Sequence, residues 1–354
     1  MNVLILAAGR FGEPMRRAIA DGREPRLDVF ELATTLGADI IDFADAERSR
    51  DPVAKGVLRT LGPSAAVAYL GFRKSRRYDA VLTTGEDIGL PLAVLMKANP
   101  RRPSHTMIAH TLYPQKKQVL FRYGRAARQI DRFLVYSTSE ERHAIDTLGV
   151  QAKKVERIYF HADPEFFKPN GTEPERDLIC AAGQLLRDYD TLIDAIQGLP
   201  VRLQIAAGSP WIEHKLGPTR ALPAGVSWGK LDRFELRELY ARSALAVVPI
   251  RENDYQTGIA TILEMMSMGK CVIATKTRGQ TDTIRDGETG VYVPPADPGA
   301  LRSAIERMLA NPEEAARIGR AARKFIEENA SLGHFVARVS DAVRTGDATL
   351  RGGR

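Results

Sequence analysis

The chain has 354 residues, 44% of them hydrophobic and 27% charged, with a formal net charge of +7 and two cysteines. That length exceeds one ordinary domain, and the composition is that of a globular protein with no room for extended disorder or a cysteine framework. No apolar run approaches the ~20 residues of a membrane helix, so the expectation is a cytoplasmic protein of two domains.

The charge is unevenly placed. Residues 1–170 hold 27 Lys and Arg against 20 Asp and Glu, whereas residues 171–354 hold 24 of each. The whole excess therefore belongs to the first half. Cys180 and Cys271 both stand in apolar runs, as free core thiols would, and neither has a His or Cys at metal spacing.

The start of the chain has no basic region before its short apolar run, which suits a first strand and not a signal peptide. That run, 3–8, ends in Gly9-Arg10-Phe11-Gly12, and a helix is expected over 13–20: strand, glycine loop, helix, the opening of a parallel α/β sheet. The loop lacks the three-glycine dinucleotide pattern and is a weak nucleotide signal by itself. Further strands are expected at 28–32, 40–43, 80–84, 107–109 and 133–136, and helices at 51–72, 91–98 and 140–148, the last capped by Ser137. His110 stands at the carboxyl end of its strand.

Between 155 and 176 the periodicity breaks. A short strand at 156–159 leads into His161-Ala162-Asp163-Pro164-Glu165-Phe166-Phe167-Lys168-Pro169 and a polar stretch, which together have the composition of a domain linker. The alternation then restarts, with strands at 177–182, 201–207, 226–228, 245–249, 271–274 and 290–293, helices at 191–197, 233–242, 298–310 and 312–328, and a loop at Gly208-Ser209-Pro210. Two sequential α/β domains are implied, with ligands at the carboxyl ends of strands.

The stretch from Asp254 to Glu264 organises the second half. A helix opening at Thr257 and closing at Gly269 would present the N–H groups of Thr257, Gly258, Ile259 and Ala260 to an anion. Glu264, two turns in, would address a polar group beside that anion.

Five phrases surround this helix: Gly183 with Arg187-Asp188-Tyr189-Asp190-Thr191-Leu192, the run Val201 to Gly208, Leu239-Tyr240-Ala241, Ile262-Leu263-Glu264 through Lys270, and Asp286-Gly287-Glu288-Thr289-Gly290 with Val291-Tyr292-Val293. Their order and spacing resemble the nucleotide-sugar half of retaining glycosyltransferase family 4. The resemblance covers nearly the whole chain, more strongly after Asp177, and His161 replaces a glycine usual in the family's interdomain phrase. It implies an α/β protein of GT-B fold, two Rossmann-like parallel α/β domains facing a central cleft. The acceptor-side domain would be 1–168 and the donor-binding domain 169–330. A C-terminal helix at 331–348, with Phe335 to Val343 as its core, would return to the first domain.

The resemblance further implies transfer of a sugar, with retention, from a nucleoside-diphosphate-sugar donor to a glycan, lipid or small-molecule acceptor, without a metal or other cofactor. Arg187 and the helix start would hold the diphosphate, Gly183 would stand beside them, and Glu264 would accept from the vicinal ribose hydroxyls. Gln256 stands where the family's Glu, seven residues, Glu signature has its first Glu; an amide hydrogen-bonds sugar hydroxyls but carries no charge. A basic residue usual before Arg187 is absent, since Gln184 follows Gly183, and Arg251, Lys276 or Arg278 would substitute. His110 would contact the transferred sugar or the acceptor, while Gly9 and Gly12 let the first loop approach the ligands.

Three other features have alternatives of their own. Asp188-Tyr189-Asp190 offers a metal-binding pattern but precedes a helix, which favours a capping role for Asp190. Trp228 is either a core residue or a base-stacking platform. Arg73-Lys74-Ser75-Arg76-Arg77, Lys116-Lys117 and the helically spaced Arg122, Arg125, Arg128 and Arg132 would form either a solvated face or a basic surface for an anionic membrane or acceptor. The alternative to an enzyme is a non-catalytic sugar-nucleotide binder or partner subunit; nucleic acid is not expected as a partner, because no recognition module accompanies the charge.

Overall fold

A computed structural model describes residues 1–122, 124–208, 217–218 and 220–352. Ser209 and Pro210 of the expected loop, and the Arg122 side chain, lie outside the described residues. The chain divides into two compact units: Met1–Ala20, Arg26–Ile158 and Phe335–Arg354 form the first, and Asp21–Pro25 with Tyr159–His334 the second.

The first unit contains β1 (Val3–Leu6), α1 (Glu13–Ala20), α2 (Asp28–Leu36), β2 (Asp39–Ile41), α3 (Phe43–Arg48), α4 (Pro52–Leu61) and α5 (Pro63–Lys74). It continues through β3 (Ala80–Thr83), α6 (Glu86–Met96), β4 (Ser104–Ala109), α7 (Gln115–Arg122), β5 (Arg132–Val135), α8 (Thr138–Arg142) and β6 (Val155–Arg157). Its strands form one parallel sheet in the order β2-β1-β3-β4-β5-β6. β1, β3 and β4 are buried along their whole length. That is why they read as unbroken apolar runs: helices cover both faces of a parallel sheet, and the alternation of a half-exposed strand is lost.

Two sequence expectations fail here. Residues 28–32 are helix, not strand: Val29, Leu32 and Leu36 are buried at three- and four-residue spacing, Asp28 and Glu31 lie in the first turn, and Gly37 ends the helix in a left-handed cap at φ 58°. A five-residue window was too short to separate the two periods. α6 begins at Glu86, five residues before the expected start, with Glu86 and Asp87 in its first turn and Pro91 inside it; Pro91 is not the opening residue that its preference for first turns suggested.

The second unit contains β7 (Glu175–Ala182), α9 (Tyr189–Ile196), β8 (Arg202–Ala206), β9 (Val226–Gly229), α10 (Arg233–Arg242), β10 (Ser243–Val248) and α11 (Ile259–Ser267). After these come β11 (Val272–Thr275), β12 (Val291–Val293), α12 (Pro298–Ala310) and α13 (Pro312–Phe325), and the chain ends in α14 (Leu332–Gly352), whose residues from Phe335 onward count with the first unit. The second sheet is also parallel, in the order β12-β11-β10-β7-β8-β9. β7 and β10 sit at its centre, so the loops after Ala182 and Val248 emerge side by side where the strand order reverses. That is where ligands bind in open parallel sheets. Cys180 and Cys271 are buried free thiols.

Candidate active site

Arg187 is the centre of the second unit's loops. β7 ends at Ala182, and Gly183 (φ 97°) and Leu186 (φ 51°) turn the chain so that Arg187 bridges to Ile250 on the loop after β10. A non-glycine residue in the left-handed region costs roughly 1–3 kcal/mol, and hydrogen bonds from Arg251 N–H to the Leu186 carbonyl and from Asp188 N–H to the Pro249 carbonyl hold it there. The Arg187 side chain is 8% exposed. It donates from Nε to the Ala182 carbonyl at 2.9 Å, from Nη1 to the Leu185 carbonyl at 2.9 Å and from Nη2 to the Thr261 hydroxyl at 3.2 Å. A Cβ on Gly183 would run into this guanidinium, and one on Gly258 would lie 3.1 Å from Nη1, so both positions require glycine for space as well as for backbone.

All three acceptors are neutral. Burial pushes the guanidinium below its ordinary value, and no carboxylate pairs with it among the described residues. A buried cation with only neutral partners and unused N–H groups is incomplete without an anion.

α11 supplies the second half of the site. It begins at Ile259, not at the expected Thr257, because Gly258 at φ 81° is its left-handed N-cap. Thr257 belongs to the turn: its N–H donates to the Tyr255 carbonyl at 2.7 Å and its hydroxyl to Asn253 Oδ1 at 3.0 Å. The open helix-start N–H groups are therefore those of Ile259, Ala260 and Thr261, and Thr261 also contacts Arg187 through its hydroxyl.

Gln256 is 8% exposed; its Nε2 donates to the Thr283 hydroxyl at 3.1 Å, and its Oε1 is buried with no partner. Orphaned buried acceptors are rare and mark a place where a donor belongs. Glu264 is held on both oxygens, by Arg233 Nη1 at 2.7 Å and by the Tyr240 hydroxyl at 3.3 Å. Burial raises the nearby Glu24 carboxyl, against the pull of Arg233.

Beside Arg187, the described residues line a cavity of about 230 Å3, with Gln184, Tyr189, Trp228 and Arg251 among its walls. Trp228 is half-buried and meets Tyr189 edge to face at 4.9 Å. Of the three substitute cations, Arg251 lines this cavity. Arg278 instead pairs with Asp254 at 2.7 Å, and Lys276 lies 5.8 Å over the Tyr292 ring. The helix cap of α9 is Asp188, which accepts the Thr191 N–H and hydroxyl, and not the expected Asp190; no group of metal-ligating side chains assembles among the described residues.

In the first unit His110 is exposed at the end of β4, with its Nε2 3.0 Å from the Thr84 carbonyl, which fixes Nε2 as the donor and leaves Nδ1 as an acceptor. The backbone beneath it is held by two carboxylates that the sequence did not single out. Glu86, 3% exposed, accepts from His110 N–H at 2.8 Å, Thr111 N–H at 3.3 Å and Lys117 Nζ at 2.5 Å. Glu140, 1% exposed, accepts from Leu112 N–H at 3.1 Å. Burial alone would raise Glu86, but the electrostatic pull of His110 and Lys117 and the hydrogen bonds they donate outweigh it, and the carboxyl lies below its usual range. Gly12 is not crowded, since a Cβ there would meet only Pro14 at 3.5 Å, and the Gly9 carbonyl accepts the Phe43 N–H.

Glu140 differs: burial, with Glu86 adding to it, pushes its carboxyl up to about 7 from 4.5. A raised folded value means the protonated form is favoured on folding, so this contribution to stability is complete below about 4.5 and is lost as pH rises through about 7. Glu140→Gln keeps the acceptor for Leu112 and removes the titration. Its urea midpoint should match the parent near pH 4 and exceed it at pH 8; a variant advantage that shrinks with rising pH would refute this assignment.

The expected basic surface changes in composition. Lys117 is largely buried, paired with Glu86 and with Asp87 at 3.3 Å, and Arg125 (φ 47°), Arg128 and Arg132 fall on a turn, a short 3-10 segment and the start of β5, not on one helix face. Arg76 and Arg77 remain exposed. No helix among the described residues is long and apolar enough to cross a membrane.

The fold is GT-B, with two parallel six-stranded α/β sheets. Sucrose-phosphate synthase from Thermosynechococcus elongatus superimposes with a TM-score of 0.73 at 17% identity, covering 99% of this chain and 100% of that one. The Anabaena Alr3699/HepE structure in complex with UDP-glucose gives 0.72 at 17%, covering 98% and 100%.

Residues 163–325 match the family model of glycosyl transferases group 1. MMP alpha-(1->4)-mannosyltransferase of Mycolicibacterium hassiacum is 24% identical over 253 residues, 67% of this chain and 61% of that protein; the chain thus spans about three fifths of that relative's length. Together these matches give a likeness to glycosyl transferases group 1 over residues 163–325 and a GT-B fold over nearly the whole chain.

Proposed function

We propose that the protein is a retaining, metal-independent glycosyltransferase of family 4 type that moves a sugar from a nucleoside-diphosphate-sugar donor to a glycan, lipid or small-molecule acceptor. The observation that carries this is Arg187, a buried cation with neutral partners, set against the open start of α11. As the sugar leaves, negative charge develops on the diphosphate, and fixed N–H donors in a site of low polarity stabilise that charge most. The ribose goes to Glu264, shared with Arg233. The orphaned Gln256 Oε1 takes a sugar hydroxyl, and His110 Nδ1 accepts from the transferred sugar or the acceptor. The solved relative with UDP-glucose supports a nucleotide-sugar donor. The exposed Arg76 and Arg77, on the basic first half, face an anionic membrane, for which co-sedimentation with anionic vesicles at low salt is the check.

Incubation with a panel of nucleotide sugars in the presence of a chelator should show donor binding and slow donor hydrolysis; neither with any donor would end the proposal. Gln256→Glu separates the enzyme from a degenerate, non-catalytic binder. A catalyst shaped around the amide loses or changes its sugar preference when a charge replaces it, whereas a degenerate site gains activity.

A further inference from the structure

A second cluster of cations lies at the opposite end of α11 and has no part in the donor site. Lys270, just before β11, is 9% exposed. Its Nζ donates to the Ala241 and Ser243 carbonyls at 2.6 and 2.9 Å, and among the described residues it has no acid partner. Arg323 of α13 donates to the Ser267 carbonyl at 2.5 Å and pairs with Glu327 at 2.8 Å. That contact caps the negative end of α11 and accounts for Arg323.

It does not account for Arg320 and Lys324, one turn apart and exposed on the same helix. Arg320 has no acid partner among the described residues, and Lys324 reaches Glu328 only at 3.7 Å. These four cations line one cavity of about 400 Å3, whose far wall is the linker Pro169 to Pro174. Two acids, Glu173 and Glu327, share the lining, so the cavity keeps a positive balance. α13 is pressed tightly against its floor: a Cβ on Gly319 would collide with the Gly269 backbone. The cavity opens at the amino ends of β7, β10 and β11, away from the carboxyl-end loops. The nine residues of α11 set it roughly 13 Å from the donor-binding helix start.

We propose that this cavity is a second anion site, taking a phosphorylated small molecule between α13 and the linker. Phosphate oxygens would satisfy Arg320 and Lys324 and the remaining proton of Lys270, and the occupant would hold the linker against α13.

Inorganic pyrophosphate is the probe, titrated calorimetrically into the whole chain. The expected result is two classes of site. Arg187→Met should abolish one and leave the other; the double variant Arg320→Glu/Lys324→Glu should weaken the second at least about tenfold, the equivalent of one charge-assisted hydrogen bond, and leave the first. Pyrophosphate should also slow proteolysis of the linker in the Arg187→Met protein. Loss of all binding in Arg187→Met, or unchanged binding in the double variant, would overturn the proposal. Because Arg320 and Lys324 are surface positions of α13, the outcome in the double variant does not depend on the donor site being correctly assigned.

Discussion

Arg187→Met should lower kcat/KM for donor turnover by roughly 10^2 to 10^3, the loss typical of removing one preorganised donor to a developing anion. The fold should stay intact. Methionine fills much of the same space without a charge, so the substitution trades two opposing effects. Three hydrogen bonds to the Ala182 and Leu185 carbonyls and the Thr261 hydroxyl disappear, each contributing about 0.5–1.5 kcal/mol. Against that, the buried charge that depresses the Arg187 guanidinium is also removed. The melting transition should therefore move little while donor affinity collapses. Arg187→Lys is the sharper control: a point charge keeps the sign but cannot reach carbonyl, hydroxyl and phosphate together from one planar fork. Calorimetric titration with a nucleoside diphosphate, beside a urea curve, reads both quantities. A variant that binds diphosphate as tightly as its parent would remove Arg187 from the site, and with it the main argument for transferase chemistry.

The parts of this molecule legible in the sequence are those whose cause is local. Gly258 and the helix start were legible from residue type, and Gly183, Arg187 and Gln256 from the family resemblance; the structure packs both glycines on the Arg187 guanidinium. The continuous apolar strands were equally plain. The misses share a physical cause, partners distant in sequence. The partners of Glu264 were not legible because Arg233 and Tyr240 stand 31 and 24 residues before it. Lys117 looked like surface because Glu86, 31 residues earlier, takes it inside. A carboxylate two residues ahead of the apolar run from Ile88 to Met96 was the one available signal for Glu86: an acid opening a helix whose next turns are mostly core lies within reach of the core. The displaced start of α11 turns on a single dihedral, the positive φ of Gly258, which composition allows but does not require.

Glu86 is where the largest loss of stability is expected. Its carboxylate is the acceptor for Lys117 and for the N–H groups of His110 and Thr111; the carboxylate and Lys117 are buried, and the two N–H groups are partly so. Glu86→Leu leaves Lys117 with only the exposed Asp87, 3.3 Å away, as counter-charge, together with two N–H groups that have lost their acceptor. Removing one partner of a buried pair costs about 3–5 kcal/mol, enough to take away much of the stability of an ordinary domain. The double variant Glu86→Leu/Lys117→Met removes the stranded charge as well and should recover most of that loss, since buried pairs replaced by apolar residues of similar size are often neutral. Recovery of stability should not restore activity. The His110 and Thr111 N–H groups still lack their acceptor, so the segment that presents the His110 ring is no longer held, and misplacement by about 1 Å lowers turnover on the order of 10^2-fold. The pattern to look for is a urea midpoint that falls in the single variant and returns in the double, with kcat/KM low in both. If activity returned together with stability, Glu86 would be a structural residue only, and the positioning of His110 would have to come from the Thr84 carbonyl and the Tyr136 ring, 5.3 Å from the imidazole.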